Sequence, residues 1–172
     1  GLVGSEMCIR DSLEALRHRN RGARVVHAST RQVYGRTTHQ PVAETHPTSP
    51  TDINGIDKLT AERFHLHYSQ HHQIDTVVLR LTNTYGPRQL MAHERKGFIP
   101  AFIRRAIEGR PITVFGDGAQ ERDANYVDDV VDAFLRCGVH GGAPAGRIYN
   151  LGSSPPFTVR SFAQKVVDVV GR

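Results

Sequence analysis

Short apolar runs alternate with longer amphipathic segments along most of this 172-residue chain. Two runs rich in β-branched residues are typical of strands buried in a parallel sheet, residues 24–28 and 75–81. Two further strands are predicted at residues 111–115 and 147–151. Strands that alternate with helices indicate an α/β fold.

The amphipathic segments predict the helices. One begins at an N-cap supplied by Thr51 or Asp52 and continues to about His72. Its predicted inward-facing residues are Ile53, Ile56, Leu59, Phe64 and Tyr68. Another helix is predicted over residues 98–109, with Phe98, Phe102, Ile103 and Ile107 facing inward. The other predicted helices cover residues 13–19, 129–137 and 159–170, the last capped by Thr158.

Polar residues follow the first buried strand. Ser29 and Thr30 lie where that strand ends, the place at which open α/β sheets bind ligands. Asn54 and Lys58 are one helical turn apart on the next helix, so we expect both to point toward these two hydroxyl groups. A hydroxyl beside a fixed ammonium group is suited to proton transfer. These four residues form the candidate catalytic site.

Three segments resemble the extended short-chain dehydrogenase/reductase family, the NAD-dependent epimerases and dehydratases of nucleotide sugars. The sequence STRQVYG at residues 29–35 is similar to the family's S-T-x-x-V-Y-G strand end. Residues 80–88, RLTNTYGPR, resemble R-x-x-N-x-Y-G-P-R, and residues 116–129 resemble G-D-G-x-Q-x-R-D-F-x-Y-V-D-D. The resemblance extends from about residue 13 to the end of the chain.

The resemblance implies roles for the candidate catalytic residues. NGIDK at residues 54–58 stands where the family has a Y-x-x-x-K helix, so the family's catalytic tyrosine is Asn54 here. Thr30, Asn54 and Lys58 are then the catalytic positions, and Ser29 and Lys58 would contact an NAD or NADP cofactor. In the family the lysine holds the nicotinamide ribose and lowers the pKa of the tyrosine.

The resemblance also implies a nucleotide-sugar substrate. Its predicted contacts are Asn83, Arg88 and Arg122. Arg122 would bind the substrate pyrophosphate, for which a planar guanidinium group is suited. The alternative for Arg122 is a surface ion pair with Asp123 or Glu121.

The choice of reaction depends on two residues. The family's 4,6-dehydratases carry an Asp-Glu pair where this chain has Arg31 and Gln32, and its decarboxylases carry a glutamate at the Gln32 position. The resemblance therefore favours an epimerase-like reaction with transient hydride transfer to NAD. The alternative is a catalytically impaired nucleotide-sugar-binding protein, because the Asn54 carboxamide cannot transfer a proton. Tyr34 and Tyr85 are candidate replacements for the missing phenol.

The chain has no G-x-x-G-x-x-G turn, the family's dinucleotide site. The resemblance therefore implies the C-terminal part of a Rossmann-like parallel sheet and part of a small substrate-binding lobe. Residues 1–12 fit no family element, and LVGSEMCIRDS matches a translated sequencing adapter, so we expect an artefact there; the alternative is a disordered terminus. Residues 13–172 are then an inactive fragment of one domain. The intact protein is expected to be a homodimer.

Composition and residue spacing argue against several other functional classes. The net charge is +5, but the basic residues are scattered and are not interleaved with aromatic residues, so nucleic-acid binding is not predicted. His67 and His71 have the spacing of a zinc pair without a third ligand, so no metal site is predicted. Cys8 and Cys137 have no reason to pair, and no apolar run is long enough for a membrane helix. A cytoplasmic location is expected.

Overall fold

The computed structural model describes residues 2–91, 97–139, 142–153 and 155–170, with side chains from residue 7 onward. Its helices are α1 (Leu2–Arg19), α2 (Ile53–His72), α3 (Phe98–Ile107), α4 (Val127–Gly138) and α5 (Val159–Val170). Its strands are β1 (Arg24–Thr30), β2 (Asp75–Leu81), β3 (Asn83–Tyr85), β4 (Glu121–Arg122), β5 (Ala124–Tyr126), β6 (Arg147–Leu151) and β7 (Phe157–Thr158). A short 3₁₀ helix covers Arg31–Tyr34. The predicted α/β class is confirmed.

The chain divides into two compact units. The first unit comprises Gly1–Leu81 and Val131–Leu151, and the second comprises Thr82–Val130 and Gly152–Arg172. No helix in the described ranges has both the length and the apolar character that a membrane span requires.

The first unit contains a three-stranded sheet in the order β1-β2-β6. Both strand pairs are parallel, and Thr30 at the end of β1 lies beside Leu81 at the end of β2. Strand β2 is central, and Val77 and Val78 within it are completely buried. The apolar run at residues 77–79 is therefore explained by cover on both faces, as predicted.

Helix α1 begins at Leu2, earlier than the predicted start at residue 13. Ile9 packs against the buried cluster of Leu13, Tyr68 and Ile74. The helix therefore includes most of residues 1–12, which were expected to fit no family element, and Ile9 contributes to its packing. Their origin as an adapter artefact stays a prediction.

The prediction of inward-facing residues in α2 was wrong for the first turn of the helix. Ile53 and Ile56 are 62% and 50% exposed. The buried residues of this helix are Gly55, Ala61, Glu62, His65 and Tyr68. The helix presents a carboxylate and an imidazole to the sheet, so apolar periodicity is a poor guide to its inner face.

The second unit has two small sheets, a parallel pair β3-β5 and an antiparallel pair β4-β7. Helices α3 and α5 pack together, and their contact includes Phe102 and Phe162 with ring centroids 6.4 Å apart. The strand predicted at residues 111–115 is irregular, and Phe115 is 83% exposed. Ile107, predicted to face inward on α3, is exposed, whereas Ala106 is buried.

Candidate active site

The end of β1 turns directly into the 3₁₀ helix. Thr30 caps this helix, since its side-chain oxygen accepts a hydrogen bond from the Gln32 backbone N–H at 3.3 Å. Asp52 caps α2 in the same way, and its Oδ1 accepts from the Gly55 N–H at 2.8 Å. The predicted choice between Thr51 and Asp52 is thereby decided for Asp52. Two capped helix ends thus flank the carboxyl end of the strand.

Gly55 allows α2 to approach the 3₁₀ helix closely. A Cβ atom at this position would lie 2.7 Å from the Gln32 carbonyl oxygen and 2.9 Å from Cβ of Pro50. Real side chains do not tolerate such distances, so a residue without a Cβ is required here. The absence of a side chain brings the neighbouring Asn54 beside the side chain of Gln32.

Four side chains are joined by hydrogen bonds at this place. Asn54 Nδ2 donates to Gln32 Oε1 at 2.5 Å, and the Thr30 hydroxyl donates to the same oxygen at 3.3 Å. Gln32 Nε2 donates to Asp52 Oδ2 at 3.0 Å. We call Asp52, Gln32, Asn54 and Thr30 the strand-end network. Asn54 was predicted to face the hydroxyls directly, whereas Gln32 links it to Thr30.

Lys58 lies one turn after Asn54 and is half-buried. Its ammonium group donates to the Ala28 carbonyl oxygen at 2.7 Å. Within the described ranges it forms no ion pair with a carboxylate, so two of its three N–H groups are available to a ligand. The hydroxyls of Ser29 and Thr30 make their hydrogen bonds elsewhere, so the predicted contact of Lys58 with them is absent from the described contacts.

Ser29 faces the interior of the first unit and is only 3% exposed. Its hydroxyl donates a short hydrogen bond to Glu62. Glu62 in turn pairs with Arg80, with Arg80 Nη2 and Glu62 Oε2 2.6 Å apart. The predicted cofactor role of Ser29 stays a prediction that these contacts do not support.

Tyr34 is also buried, and both hydrogen-bonding functions of its hydroxyl are used. The hydroxyl donates to Asn150 Oδ1 at 2.6 Å and accepts from Arg80 Nη1 at 2.8 Å. The Arg80 guanidinium carbon also lies 4.7 Å from the Tyr34 ring centroid. Tyr34 is therefore a poor substitute for the missing phenol, because its hydroxyl is enclosed in this network.

Two histidines stack inside the first unit, and one of them, His27, interacts electrostatically with Lys58. The rings of His27 and His65 stack with centroids 4.5 Å apart. Burial, followed by charge repulsion from His65 and from Lys58, lowers the pKa of His27 to about 3. Burial likewise lowers the pKa of His65 to about 4. Both rings are neutral near pH 7 and add no positive charge beside Lys58.

The predicted substrate residues lie in the second unit. Asn83 Nδ2 donates to the Asp123 carbonyl oxygen at 2.9 Å, and Arg88 is exposed with a φ of 66°. Arg122 is half-buried and donates to the Glu121 backbone carbonyl at 2.7 Å. Its alternative ion pair with Asp123 or Glu121 does not occur among the described side chains. The substrate roles of these residues stay predictions.

A family model described as NAD dependent epimerase/dehydratase family matches residues 9–152. The chain belongs to this family. A UDP-glucose 4-epimerase of Mycolicibacterium smegmatis is 34% identical over 86% of this chain and 47% of the relative. A dTDP-glucose 4,6-dehydratase of an Actinoplanes strain is 32% identical over 99% of this chain and 50% of the relative. The chain thus spans about half the length of these curated relatives.

Solved epimerase/dehydratase family structures are similar to this chain. A UDP-glucuronic acid 4-epimerase from Bacillus cereus, solved with UDP-glucuronic acid and NAD, has a TM-score of 0.86 at 27% identity. The match covers 98% of this chain and 52% of that one. A dTDP-glucose 4,6-dehydratase from Bacillus anthracis, solved with NAD, has a TM-score of 0.82 at 26% identity, with coverage of 97% and 51%. The described fold is thus that of one half of an epimerase/dehydratase.

Sequence reasoning about this epimerase/dehydratase family member missed two residues of the site. Gln32 was interpreted only as the loss of a carboxylate, yet its amide joins Thr30 to Asn54. Asp52 was interpreted only as a helix cap, yet its second oxygen holds Gln32. The signal available in the sequence was the presence of two amide side chains and one carboxylate close to a predicted strand end and a predicted helix start.

Proposed function

We propose that this chain carries the catalytic residues of an NAD-dependent enzyme that acts on a nucleotide sugar in an epimerase-like reaction. The observation that supports it best is the Lys58 ammonium group. It lies beside the end of a parallel strand, is half-buried, and forms no ion pair within the described ranges. An uncompensated cation at this place suits an anionic or polyhydroxylated ligand. Because the chain spans about half of its curated relatives, the activity belongs to the intact protein.

Lys58 is the residue that fits an NAD or NADP cofactor. Two of its N–H groups can donate to ribose hydroxyls while the third keeps the ammonium group on Ala28. The bound nicotinamide would supply a hydride acceptor for transient oxidation of a sugar carbon. Thr30 and Asn54 would orient the sugar hydroxyl, and Asn83, Arg88 and Arg122 are proposed to bind the nucleotide portion.

Gln32 is the reason to prefer an epimerase-like reaction over dehydration. Its amide occupies the position of the carboxylate that acts as acid or base in the dehydratases, and it donates to Asp52. A carboxamide cannot take or give a proton near neutral pH. Arg31 beside it is likewise no acid. Elimination of water has no proton-transfer group at these two positions.

A second candidate function is nucleotide-sugar binding with impaired catalysis. Asn54 supports it, because this residue is exposed and stands where the family has its catalytic phenol. Tyr34 supports it too, since its hydroxyl is already bonded to Asn150 and Arg80. The same site would then hold the sugar without oxidising it at a useful rate.

The intact protein and its Asn54→Tyr variant distinguish these two functions. UDP-glucose is the first probe, and the measurement is the epimerisation rate as a function of pH with NAD present. We expect the variant to be faster by about 10²- to 10⁴-fold, the usual contribution of a general acid–base. An Asn54→Phe variant is the matched control, because it adds the ring without a proton-transfer group and should not gain rate.

A fast parent protein that Asn54→Tyr slows would overturn the impaired-catalysis candidate and identify Asn54 as an adapted residue. Absence of UDP-glucose and NAD binding by the intact protein would contradict both candidates. The homodimer, the cytoplasmic location and the lack of nucleic-acid binding stay predictions.

A further inference from the structure

Asp52 fixes the direction of every hydrogen bond in the strand-end network. An ionised carboxylate only accepts hydrogen bonds, and both Asp52 oxygens do so, from Gly55 N–H and from Gln32 Nε2. If the Gln32 amide were turned over, its oxygen would face the Asp52 carboxylate without a hydrogen between them. Gln32 is therefore held with its nitrogen toward Asp52 and its oxygen toward Asn54.

The orientation of the Gln32 amide determines which atoms of Asn54 and Thr30 donate hydrogen bonds within the network. Gln32 Oε1 only accepts, so Asn54 must present its Nδ2 to it, at 2.5 Å. The Thr30 hydroxyl turns its hydrogen toward the same oxygen at 3.3 Å. Asn54 Oδ1 is then directed away from Gln32, and it has no hydrogen-bond partner within the described ranges.

The geometry points to Gln32 as a positioning residue that makes Thr30 and Asn54 acceptors of hydrogen bonds from the ligand. The site thus recognises a sugar hydroxyl by its hydrogen. A fluorine at the same carbon has no hydrogen to donate and would face acceptor oxygens. This inference rests on the proposed nucleotide-sugar function and adds the chemical group that the strand-end network selects.

The first test needs no ligand. In the 172-residue chain, ¹⁵N nuclear magnetic resonance would follow the side-chain NH₂ groups of Asn54 and Gln32. We expect one hydrogen of each group to exchange slowly with water, and the Asn54 protection to be lost in Gln32→Leu. An Asn54 NH₂ group that exchanges like that of an unstructured peptide, with or without the substitution, would overturn the inference.

A swap of the amide and the carboxylate between residues 32 and 52 tests the direction of the hydrogen bonds rather than the stability of the chain. In Gln32→Glu two carboxylates face each other, and we expect the Asn54 protection to fall. Adding Asp52→Asn restores a donor between residues 52 and 32, while asparagine remains as good a helix cap as aspartate. The double variant should recover the protection of Asn54 in full. Failure of the double variant, with Gly55 N–H still protected as in the parent, would contradict the inference.

The ligand arm uses the intact protein with UDP-glucose and with analogues that carry fluorine in place of one ring hydroxyl at a time. We expect one analogue to bind about tenfold more weakly than UDP-glucose, as for the loss of one hydrogen bond. Gln32→Leu should reduce that ratio to about one, and the double variant should restore it. Equal binding of all analogues by the parent would contradict the inference. No binding of UDP-glucose at all would instead contradict the proposed function, and the ligand-free test would still decide the direction of the network.

Discussion

Arg80 of β2 and Glu62 of α2 form a two-point ion pair inside the first unit. Arg80 Nε and Nη2 donate to the two carboxylate oxygens at 2.9 and 2.6 Å, and the side chains are 4% and 1% exposed. Ser29 donates to the same carboxylate, and Tyr34 accepts from the same guanidinium group. The pair thereby joins the end of β1, the 3₁₀ helix and the helix that carries Lys58.

Removing one partner of this pair should be strongly destabilising. In Glu62→Gln the Arg80 charge loses its buried counter-charge, and we expect a loss of about 3 to 5 kcal/mol in the free energy of unfolding. Replacing both partners, Glu62→Leu with Arg80→Met, should recover a large part of the loss. Urea unfolding of the 172-residue chain measures both.

The matched control is the exposed pair of Arg136 and Asp132, whose side chains are 76% and 59% exposed. Asp132→Asn should change the unfolding free energy far less, because water already solvates both groups. If Glu62→Gln were as mild as Asp132→Asn, the interior of the first unit would be wetter than the described burial indicates.

Gly55→Ala should destabilise the chain although alanine favours helices. The new Cβ would lie 2.7 Å from the Gln32 carbonyl oxygen, a backbone atom that cannot move by itself. We expect a net loss of about 1 to 3 kcal/mol from the forced displacement. The comparison variant is Gly138→Ala in α4, where the new Cβ would meet no atom within 4 Å. The parent and Gly138→Ala should unfold at higher temperatures than Gly55→Ala. The reverse order would show that α2 can move away from the 3₁₀ helix without cost.

Acid should weaken the first unit through its histidine pair. The pKa values of His27 and His65 are lowered to about 3 and about 4, so the native state stays unprotonated while the unfolded chain gains protons below about pH 6.5. Stability therefore falls as the pH decreases from 6.5 toward 4. Between pH 7.5 and 5.0, we expect His65→Leu to lose about 2 kcal/mol less than the parent in urea unfolding.

His71→Gln removes an exposed histidine from the same helix and serves as the control for the acid experiment. It should keep the parent's dependence on pH. If the parent's free energy of unfolding did not change between pH 7.5 and 5.0, the two buried rings would be protonated in the folded state as easily as in the unfolded chain.

Arg122→Ala tests the proposed pyrophosphate contact in the intact protein. The guanidinium group is half-buried and is held by the Glu121 carbonyl without a carboxylate among the described side chains. We expect UDP-glucose to bind about 2 to 4 kcal/mol more weakly, with NAD affinity unchanged. Arg160→Ala, which removes an exposed arginine from the same unit, is the control. Equal calorimetric affinity of the parent and Arg122→Ala would remove Arg122 from the substrate site.

Local sequence was sufficient to predict several elements. Strands β2 and β6 and helix α5 have the predicted bounds, because their residue types and flanking turns are clear local signals. The prediction failed at residues 111–115, where β-branched residues favoured a strand that pairs with no other strand in the described ranges. A strand needs a partner, and residue type alone does not supply one.

The site was predictable in position more than in detail. Thr30, Asn54 and Lys58 were expected at the strand end and lie there, because strand ends and helical spacing are local properties. The contacts between them depend on Gln32, which pairs with a residue 22 positions away in the chain. The buried face of α2 was likewise hidden, because a Glu–Arg pair in a core breaks the apolar pattern.

Strand β1 pairs with β2 on one side and with no other strand among the described residues. Its outer backbone N–H and C=O groups therefore form an open template next to the β-branched Val25 and Val26. Such an edge can form backbone hydrogen bonds with any extended polypeptide, whether a neighbouring copy or an unfolded chain. In solution we therefore expect these 172 residues to self-associate through this edge. Their tendency to aggregate should depend on whether the edge is covered.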